Sequence, residues 1–330
     1  MRENRILANN TRPAPRRQPG KLRIVSNHGA ENDTLERLMR DLGIFENAGL
    51  DVEFIKVHGP SKNVDSLVSG EAELCAVSAL NPLPDIERGA PVKIVGSAMK
   101  RPALALFARD PSIQSVRDLK GRSVGVGPRA YVLHMTVLAL LRQNGIEAAD
   151  VRFVEIGGNA GVFQAVASGD VDAGPSSVAA FALAASAGVH ALEGGLAWDA
   201  LPDFTYQTMY ASDQAILQER ETLVQAMASY SRLFDYLQSA DSREAYLKAR
   251  ATATRAGDLS QAQAVWAFVQ RHKPYGHSVA IDDSRLAYMQ DLAAWQGSIR
   301  APMPNAMIAD MSLAADASSP FLSAGYRICH

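Results

Sequence analysis

Six short segments that connect predicted strands to predicted helices carry the residues best suited to bind a small molecule. Backbone N–H groups at a helix start point outward with positive partial charge, and they therefore favour anions. The candidate ligand-binding residues in these segments are Asn27, His28, Ser61, Ser78, Asn81, Arg129, Ala130, Tyr131, Asn159 and Ser176. Each segment alone is also typical of an ordinary helix start. Because six of them can surround one molecule, the set predicts a site for a small organic anion.

Two side chains in this set have specific chemistry. Arg129 lies at a predicted helix start beside Tyr131, where its guanidinium could hold a carboxylate or sulfonate through two parallel hydrogen bonds. His28 follows the first predicted strand, and it could donate a hydrogen bond to a ligand or move a proton in an enzyme. A solvent-exposed arginine and an incidental loop histidine are the alternatives at these positions.

Sequence motifs of the common enzyme classes are missing from the chain. Gly125-Val126-Gly127 lacks the third glycine of a dinucleotide fingerprint, and no P-loop lysine, Gly-x-Ser-x-Gly or His-Glu-x-x-His motif occurs. Cys75 lies in a predicted buried strand and Cys329 lies near the end of the chain, a spacing unlike metal sites or disulfide frameworks. We therefore predict no catalytic residue, no cofactor and no metal.

A repeated pentapeptide is the strongest sign of the architecture that positions these residues. Ser69-Gly70-Glu71-Ala72-Glu73 recurs 99 positions later as Ser168-Gly169-Asp170-Val171-Asp172. Each copy follows an apolar helical stretch and precedes a short buried run that ends in small or hydroxyl residues. A glycine just past a helix supplies a left-handed cap, and we expect the two acids to solvate the turn. The repeat predicts two related α/β lobes whose strand ends carry the site.

The remaining pattern agrees with this division. Residues 22–101 read as a βαβαβαβ unit, which is typical of a parallel sheet covered by helices, and residues 213–297 are almost entirely helical in pattern. The net charge of −2 gives no reason to expect nucleic acid as a partner. No apolar run approaches the roughly 18 residues of a membrane span, so we predict no direct membrane insertion.

With these features the chain resembles type II solute-binding proteins of the nitrate/sulfonate/taurine ABC-transporter group, a family related to the thiamine pyrimidine-precursor synthases. The resemblance covers about residues 22–240. It rests on five stretches: GIFENAGLDVE at 43–53, LVSGEAE at 67–73, GAPVKIV at 89–95, DLKGRSVGV at 118–126 and AVASGDVDA at 165–173.

The resemblance implies an α/β, two-lobed type II periplasmic-binding-protein-like fold with a helical C-terminal portion and a ligand cleft between the lobes. Two crossing strands, residues 103–108 and 204–210, would join the lobes. The expected domains are a disordered basic segment 1–21, lobe one from 22–101 plus 210–300, lobe two from 102–209, and a loose tail 301–330.

The function implied by the resemblance is capture of a small organic anion, such as a sulfonate or carboxylate, and its delivery to an ABC permease. The alternative is an enzyme of the same fold, similar to the pyrimidine-precursor synthases or to aromatic sulfinate desulfinases, acting on a small aromatic or heterocyclic substrate. Two departures weigh against the enzyme. Residues 204–212 lack the cysteine cluster of the synthases, and Ser26-Asn27 is followed by His28 rather than by the nucleophilic cysteine of the desulfinases.

The resemblance also implies a periplasmic location. Residues 1–20 are basic and proline-containing, and they lack the apolar region of a secretory signal. A cytoplasmic location therefore remains the alternative.

Overall fold

A computed structural model describes residues 20–57, 61–78, 82–129, 131–255 and 257–319. Within these ranges the strands are β1 Gly20–Asn27, β2 Leu50–Val57, β3 Leu74–Ser78, β4 Val92–Ser97, β5 Leu104–Ala108, β6 Ser123–Val126, β7 Arg152–Glu155, β8 Ala173–Ser177, β9 His190–Leu196 and β10 Thr208–Ser212.

The helices in the described residues are α1 Ala30–Asp41, α2 Ile44–Asn47, α3 Ser61–Val68, α4 Leu83–Glu87, α5 Val132–Gln143, α6 Asn159–Ser168, α7 Phe181–Ala187, α8 Ala197–Ala200, α9 Asp213–Gln218, α10 Arg220–Leu237, α11 Arg243–Thr254, α12 Ser260–His272, α13 Asp283–Trp295, α14 Asn305–Ile308 and α15 Ser312–Ala317. Single 3-10 turns occupy Val116–Leu119, Ala148–Asp150, Val178–Ala180 and Ala240–Ser242.

The strands form two five-stranded sheets that follow one plan. The first sheet has the order β2-β1-β3-β10-β4 and the second has the order β7-β6-β8-β5-β9. In each sheet the fourth strand in this order runs antiparallel to both of its neighbours, whereas the first three strands are parallel. The prediction of an α/β fold with two related halves and a helical C-terminal portion is confirmed.

The Ser-Gly-acid repeat occupies the same place in both sheets. Gly70 (φ 73°) follows α3 and precedes β3, and Gly169 (φ 85°) follows α6 and precedes β8. These left-handed values explain the glycine, because a Cβ atom would strain the backbone there.

The second acid of each repeat binds the neighbouring parallel strand. Glu73 Oε2 accepts from the Arg23 N–H at 2.7 Å, and Asp172 Oδ2 accepts from the Ser123 N–H at 2.7 Å. In return, the N–H groups of Glu73 and Asp172 donate to the carbonyls of the same two partners, at 2.9 and 3.1 Å. The expectation that these acids solvate the turn was therefore wrong for the second acid of each pair.

The chain passes between the two sheets through segments that bond to each other. The Gln207 N–H donates to the Met99 carbonyl at 3.0 Å, and the Ala98 N–H donates to the Gln207 carbonyl at 3.2 Å. Residues 103–108 were expected to form one of the two crossings between the lobes. In the structure Leu104–Ala108 is instead a strand of the second sheet, and it pairs with β8. The exact lobe boundaries stay a prediction.

Both ends of the described chain are better ordered than their composition indicates. Strand β1 begins at Gly20, inside the segment 1–21 that was predicted to be disordered; residues 1–19 lie outside the described residues. The prediction of a loose tail from residue 301 is wrong for α14 and α15. Ile308 and Leu313 on these helices are fully buried, and Arg220 pairs with Asp316 at 2.6 Å.

Candidate functional site

Asn27, at the end of β1, uses its polar groups to hold the first sheet together. Its Oδ1 accepts from Asn63 Nδ2 at 2.9 Å, and its Nδ2 donates to the Val57 carbonyl at 3.4 Å. The Asn27 carbonyl accepts from Asn32 Nδ2 at 3.1 Å. The neighbouring His28 is exposed. Asn27 therefore ties together β1, β2, α1 and α3, and its assignment as a ligand contact stays a prediction.

Four other candidate residues lie at or beyond the edges of the described segments. Asn81 and Ala130 lie outside the described residues. Ser61 begins α3 and Ser78 ends β3, but only their backbones are described. Their predicted role in ligand binding is therefore untested.

Asn159 and Ser176 are brought together at the carboxyl end of β8. The Ser176 hydroxyl donates to the Asn159 carbonyl at 3.1 Å, and Ser176 is buried. Asn159 is the first residue of α6, and its buried Oδ1 has no hydrogen-bond partner in the described part of the chain. The predicted proximity of these two segments is seen, and the Asn159 side chain retains an unused acceptor.

A cavity of about 520 Å³ lies between α5 and β7, and it extends from the turn before β7 to the carboxyl ends of β6 and β7. Its polar lining consists of Arg129, His134, Glu155 and Gln296. Its apolar lining is contributed by Val126, Leu138, Phe153, Trp295 and two alanines of the turn before β7. The cavity therefore combines both signs of charge with an apolar wall.

Arg129 is the predicted site residue that lines this cavity. It lies three positions before α5, and its side chain is exposed. Within the described residues it forms neither a hydrogen bond nor an ion pair. The adjacent Tyr131 is half-buried at the N-cap of α5 and is absent from the cavity lining. Arg129 thus presents a cation at the cavity that no described side chain neutralises.

Helix α13, from the C-terminal part of the chain, reaches the cavity with its last residue. Its residues Leu286 and Met289 pack in the core of the first sheet, whereas Leu292 packs in the core of the second. At its end, Arg142 of α5 pairs with Asp291 at 2.7 Å and lies over the Trp295 ring at 5.2 Å. The helix therefore bridges the two halves and places Trp295 and Gln296 at the cavity.

His134 is the histidine of the cavity wall. Its ring meets that of Phe153 edge-on, with 4.9 Å between centroids, and the residue is buried. Burial lowers the pKa of His134, and the positive charge of Arg129 lowers it further. The imidazole is therefore neutral near pH 7, and it adds no second cation beside Arg129.

A polar cluster fixes α1, the helix that follows the end of β1. Arg250 Nη1 lies 3.1 Å from Glu31 Oε2 and donates to Thr34 Oγ1 at 3.1 Å. The Tyr246 hydroxyl donates to Glu31 Oε1 at 3.1 Å. Burial, assisted by the negative charge of Glu31, raises the pKa of Tyr206 to about 12. The contacts of Arg250 and Tyr246 tie α11 to α1.

Sequence reasoning missed Phe153, Glu155, Trp295 and Gln296. Glu155 is the last residue of β7 and lies four positions before the predicted site residue Asn159, so its position at a strand end was a usable signal. Trp295 and Gln296 gave no such signal, because a distant helix delivers them. In the described residues, no group of three or more His, Cys, Asp or Glu side chains is arranged to hold a metal ion, and no helix has the length and apolar character needed to cross a bilayer.

Comparison with protein families gives a match to the family described as NMT1/THI5 like over residues 38–239, more than half of the chain. The chain belongs to the NMT1/THI5-like family. The resemblance predicted from the five sequence stretches is confirmed.

Two solved structures show the same fold at low sequence identity. The periplasmic aliphatic sulphonate binding protein SsuA from Escherichia coli superposes with a TM-score of 0.69 at 20% identity, covering 84% of this chain and 91% of that one. The alkanesulfonate-binding protein SsuA from Xanthomonas axonopodis pv. citri, bound to MOPS, gives a TM-score of 0.67 at 18% identity, covering 91% and 98%.

A curated relative is an enzyme. The 4-amino-5-hydroxymethyl-2-methylpyrimidine phosphate synthase of Uromyces fabae is 28% identical over 135 residues, which are 40% of this chain and 38% of the relative. The match thus spans about two fifths of the relative's length.

Proposed function

We propose that this protein is the substrate-binding component of an ABC transporter and that it captures a small organic anion in the cavity beside Arg129. The fold shared with the SsuA proteins supports a solute-binding role. The observation that carries the proposal is the guanidinium of Arg129, which lines the cavity without an ion pair to any described side chain.

The size and walls of the cavity suit such a ligand. Small-molecule sites commonly enclose about 300–1,000 Å³ with a mostly apolar lining and a few polar groups, and this cavity has about 520 Å³. Arg129 supplies the fork that binds a sulfonate or carboxylate, and Phe153 and Trp295 supply surface for its carbon skeleton. Helix α13 contacts both halves, so a movement of the halves changes the cavity.

Titration calorimetry with butanesulfonate and MOPS tests this proposal. Replacing Arg129 with alanine should weaken binding more than about tenfold, since a hydrogen bond to a charged group contributes about 1.5–3 kcal/mol. Arg129→Lys should recover only part of the affinity, because lysine lacks the planar fork. Arg117→Ala removes an exposed arginine elsewhere on the same half and serves as the matched control. An unchanged affinity in Arg129→Ala would refute the assignment.

A permease partner and a periplasmic location belong to the same proposal. Both are supported by the transport proteins among the structural neighbours. Co-purification of this protein with an ABC permease, together with recovery from the periplasmic fraction of the source cells, would support this part. Recovery from the cytoplasmic fraction alone would argue against it.

The second candidate is an enzyme acting on a small aromatic or heterocyclic substrate, and the similarity to the Uromyces fabae synthase favours it. Mass spectrometry distinguishes the two functions after the protein is incubated with the compound that stabilises it most in a thermal-shift screen. A binding protein returns the compound unchanged. Turnover that disappears in His28→Ala would establish the enzyme instead, because general acid–base catalysis contributes about 10²–10⁴-fold.

A further inference from the structure

Helix α13 presents a different face to each half of the protein. Leu286, Met289 and Ala293 pack in the core of the first sheet, and their spacing places them on one side of the helix. Leu292 packs in the core of the second sheet, and Tyr288, one turn earlier, packs against the same core. One face of α13 therefore anchors it in the first half, while the other face contacts the second half.

Two further side chains extend the second face to the end of the helix. Asp291 and Trp295 lie three and seven positions after Tyr288, which places them on the same side. Arg142 of α5, in the second half, contacts both of them. Its Nη1 donates to Asp291 Oδ2 at 2.7 Å, and its guanidinium carbon lies 5.2 Å from the centre of the Trp295 ring. A single arginine thus binds two residues of α13 across the boundary between the halves.

We propose that Arg142 is a positioning residue for the cavity, because it holds the Trp295 ring in place as a wall of the cavity. Trp295 lines the cavity, whereas Arg142 is not among the described residues that line it. Arg142 therefore acts on the cavity through Trp295. Its effect on ligand affinity rests on the proposed function, whereas its effect on the Trp295 ring does not.

Apolar packing alone leaves the Trp295 ring partly free. Leu292 is the last residue of α13 in the core of the second sheet, and Trp295, almost one turn further, is 36% exposed. A cation over an indole ring is attracted by the negative face of the ring. Asp291 fixes the position of that cation with its hydrogen bond. The ring consequently has a defined place before any ligand arrives.

A preformed wall improves affinity, because the ligand does not have to order it. Immobilising a mobile side chain on binding weakens affinity by about three- to tenfold. The Arg142 and Asp291 side chains are 44% and 60% exposed, and ion pairs this exposed contribute little to global stability. We therefore expect the loss of Arg142 to leave the fold intact and to change the Trp295 ring and the cavity beside it.

Fluorine NMR tests the positioning of the ring without any ligand. The chain has three tryptophans, so labelling with 5-fluorotryptophan reports on each of them, and Trp295→Phe identifies the signal of Trp295. Arg142→Ala should shift or broaden this signal and leave the other two in place. Arg142→Lys should restore the signal only in part, because lysine keeps a charge near Asp291 but lacks the planar group over the ring.

An ion pair elsewhere in the protein provides the matched control. Arg220 of α10 pairs with Asp316 of α15 at 2.6 Å, and these side chains are 42% and 55% exposed. This pair also joins two helices, but both lie in the part of the chain that follows β10. Arg220→Ala should therefore leave the Trp295 signal unchanged.

Titration calorimetry with butanesulfonate and MOPS tests the effect on the cavity. Arg142→Ala should weaken binding about three- to tenfold, and Arg220→Ala should not change it. In a protein that already carries Trp295→Ala, the further change Arg142→Ala should alter affinity less than about twofold, because the residue through which Arg142 acts is gone.

The two measurements separate this inference from the proposed function. An unchanged Trp295 signal in Arg142→Ala overturns the positioning role. Wild-type affinity in Arg142→Ala, or an equally large loss in the Trp295→Ala protein, overturns the effect on the cavity while the anion site at Arg129 stands. Failure of both sulfonates to bind the wild type overturns the proposed function and the effect on affinity together, and the fluorine signal still decides whether Arg142 positions the ring.

Discussion

Asp172 closes the second Ser-Gly-acid repeat, and replacing it with asparagine tests whether the repeat stabilises the sheet. Its Oδ2 accepts from both the backbone N–H and the hydroxyl of Ser123, each at 2.7 Å. Ser123 begins β6, and it is buried. Asparagine keeps the shape and one acceptor oxygen but removes the charge that strengthens both hydrogen bonds.

The size of the effect follows from these two contacts. A hydrogen bond to a charged group contributes about 1.5–3 kcal/mol, against about 0.5–1.5 kcal/mol for a neutral one. The Asp172 side chain is 34% exposed, so solvent screening puts the loss at the lower end. We expect Asp172→Asn to lower the free energy of unfolding by about 1 kcal/mol. Asp172→Ala should cost about 1–3 kcal/mol more, because it leaves the buried Ser123 N–H without its carboxylate acceptor.

The effect of Asp172→Asn should depend on pH in a defined direction. The hydrogen bonds from Ser123 are the main cause that lowers the pKa of Asp172 in the folded protein. A lowered pKa means that the stabilisation is complete above the unfolded pKa of about 3.9 and is lost as the pH falls through the folded value. The difference between wild type and Asp172→Asn should therefore be constant near neutral pH and shrink in acid.

Urea denaturation at pH 7 and at the lowest pH that keeps the protein folded measures this difference. Hydrogen exchange of the Ser123 amide reports the same loss locally, which matters if the two halves unfold separately. Asp170→Asn, which changes the exposed first acid of the same repeat, should stay within about 0.5 kcal/mol of wild type. Equal stability of wild type and Asp172→Asn at pH 7, or a difference that does not shrink in acid, would show that the carboxylate does not stabilise β6.

Two further predictions concern packing and a buried histidine. Gly174→Ala places a Cβ 2.5 Å from Val162 Cγ1 and 3.0 Å from the Gly125 carbonyl, so thermal denaturation should show a loss of about 1–3 kcal/mol. Gly161→Ala, on the exposed side of α6 with ordinary contacts, should instead be neutral or stabilising by up to about 1 kcal/mol. Because the folded pKa of His134 is lowered, wild-type stability should fall as the pH drops below about 6.5, and His134→Gln should show a shallower fall over the same range. Parallel pH profiles of the two proteins would contradict the burial of a neutral imidazole.

Much of the fold was predictable because local chemistry and global topology agree. Gly70 and Gly169 follow helix ends and have left-handed backbone conformations, which glycine adopts without strain. Each is followed by a short buried strand. Such signals lie within a few residues of one another, so a single sequence contains them. The equivalent bonding of Glu73 and Asp172 was not predictable, because their partners Arg23 and Ser123 are about 50 residues away.

The tail shows where composition misleads. Residues 301–319 are rich in alanine, serine and proline, which is typical of loose segments. Ile308 and Leu313 are nevertheless fully buried, since α14 contacts β4 and α15 packs against α10. A few apolar side chains at the right spacing are sufficient to dock a short helix, and an average over the segment conceals them.

The candidate site was only partly predictable. The sequence does not show whether a polar side chain at a strand end bonds to the rest of the protein or faces a ligand. Asn27 and Ser176 are hydrogen-bonding residues at strand ends, as expected, but the described contacts of both are made with other parts of the protein. Arg129 lines a cavity, because a long cation at a helix start has few internal partners, and its role as a ligand contact stays a prediction.

The charge pattern of the cavity changes what can be concluded from Arg129 alone. One arginine at a helix start favours an anion whatever else surrounds it. Glu155, 26 positions further along the chain, enters the same cavity only because β6 and β7 pair in parallel with Val126 opposite it. The pairing register, which no local motif encodes, therefore decides whether a ligand meets one charge or two.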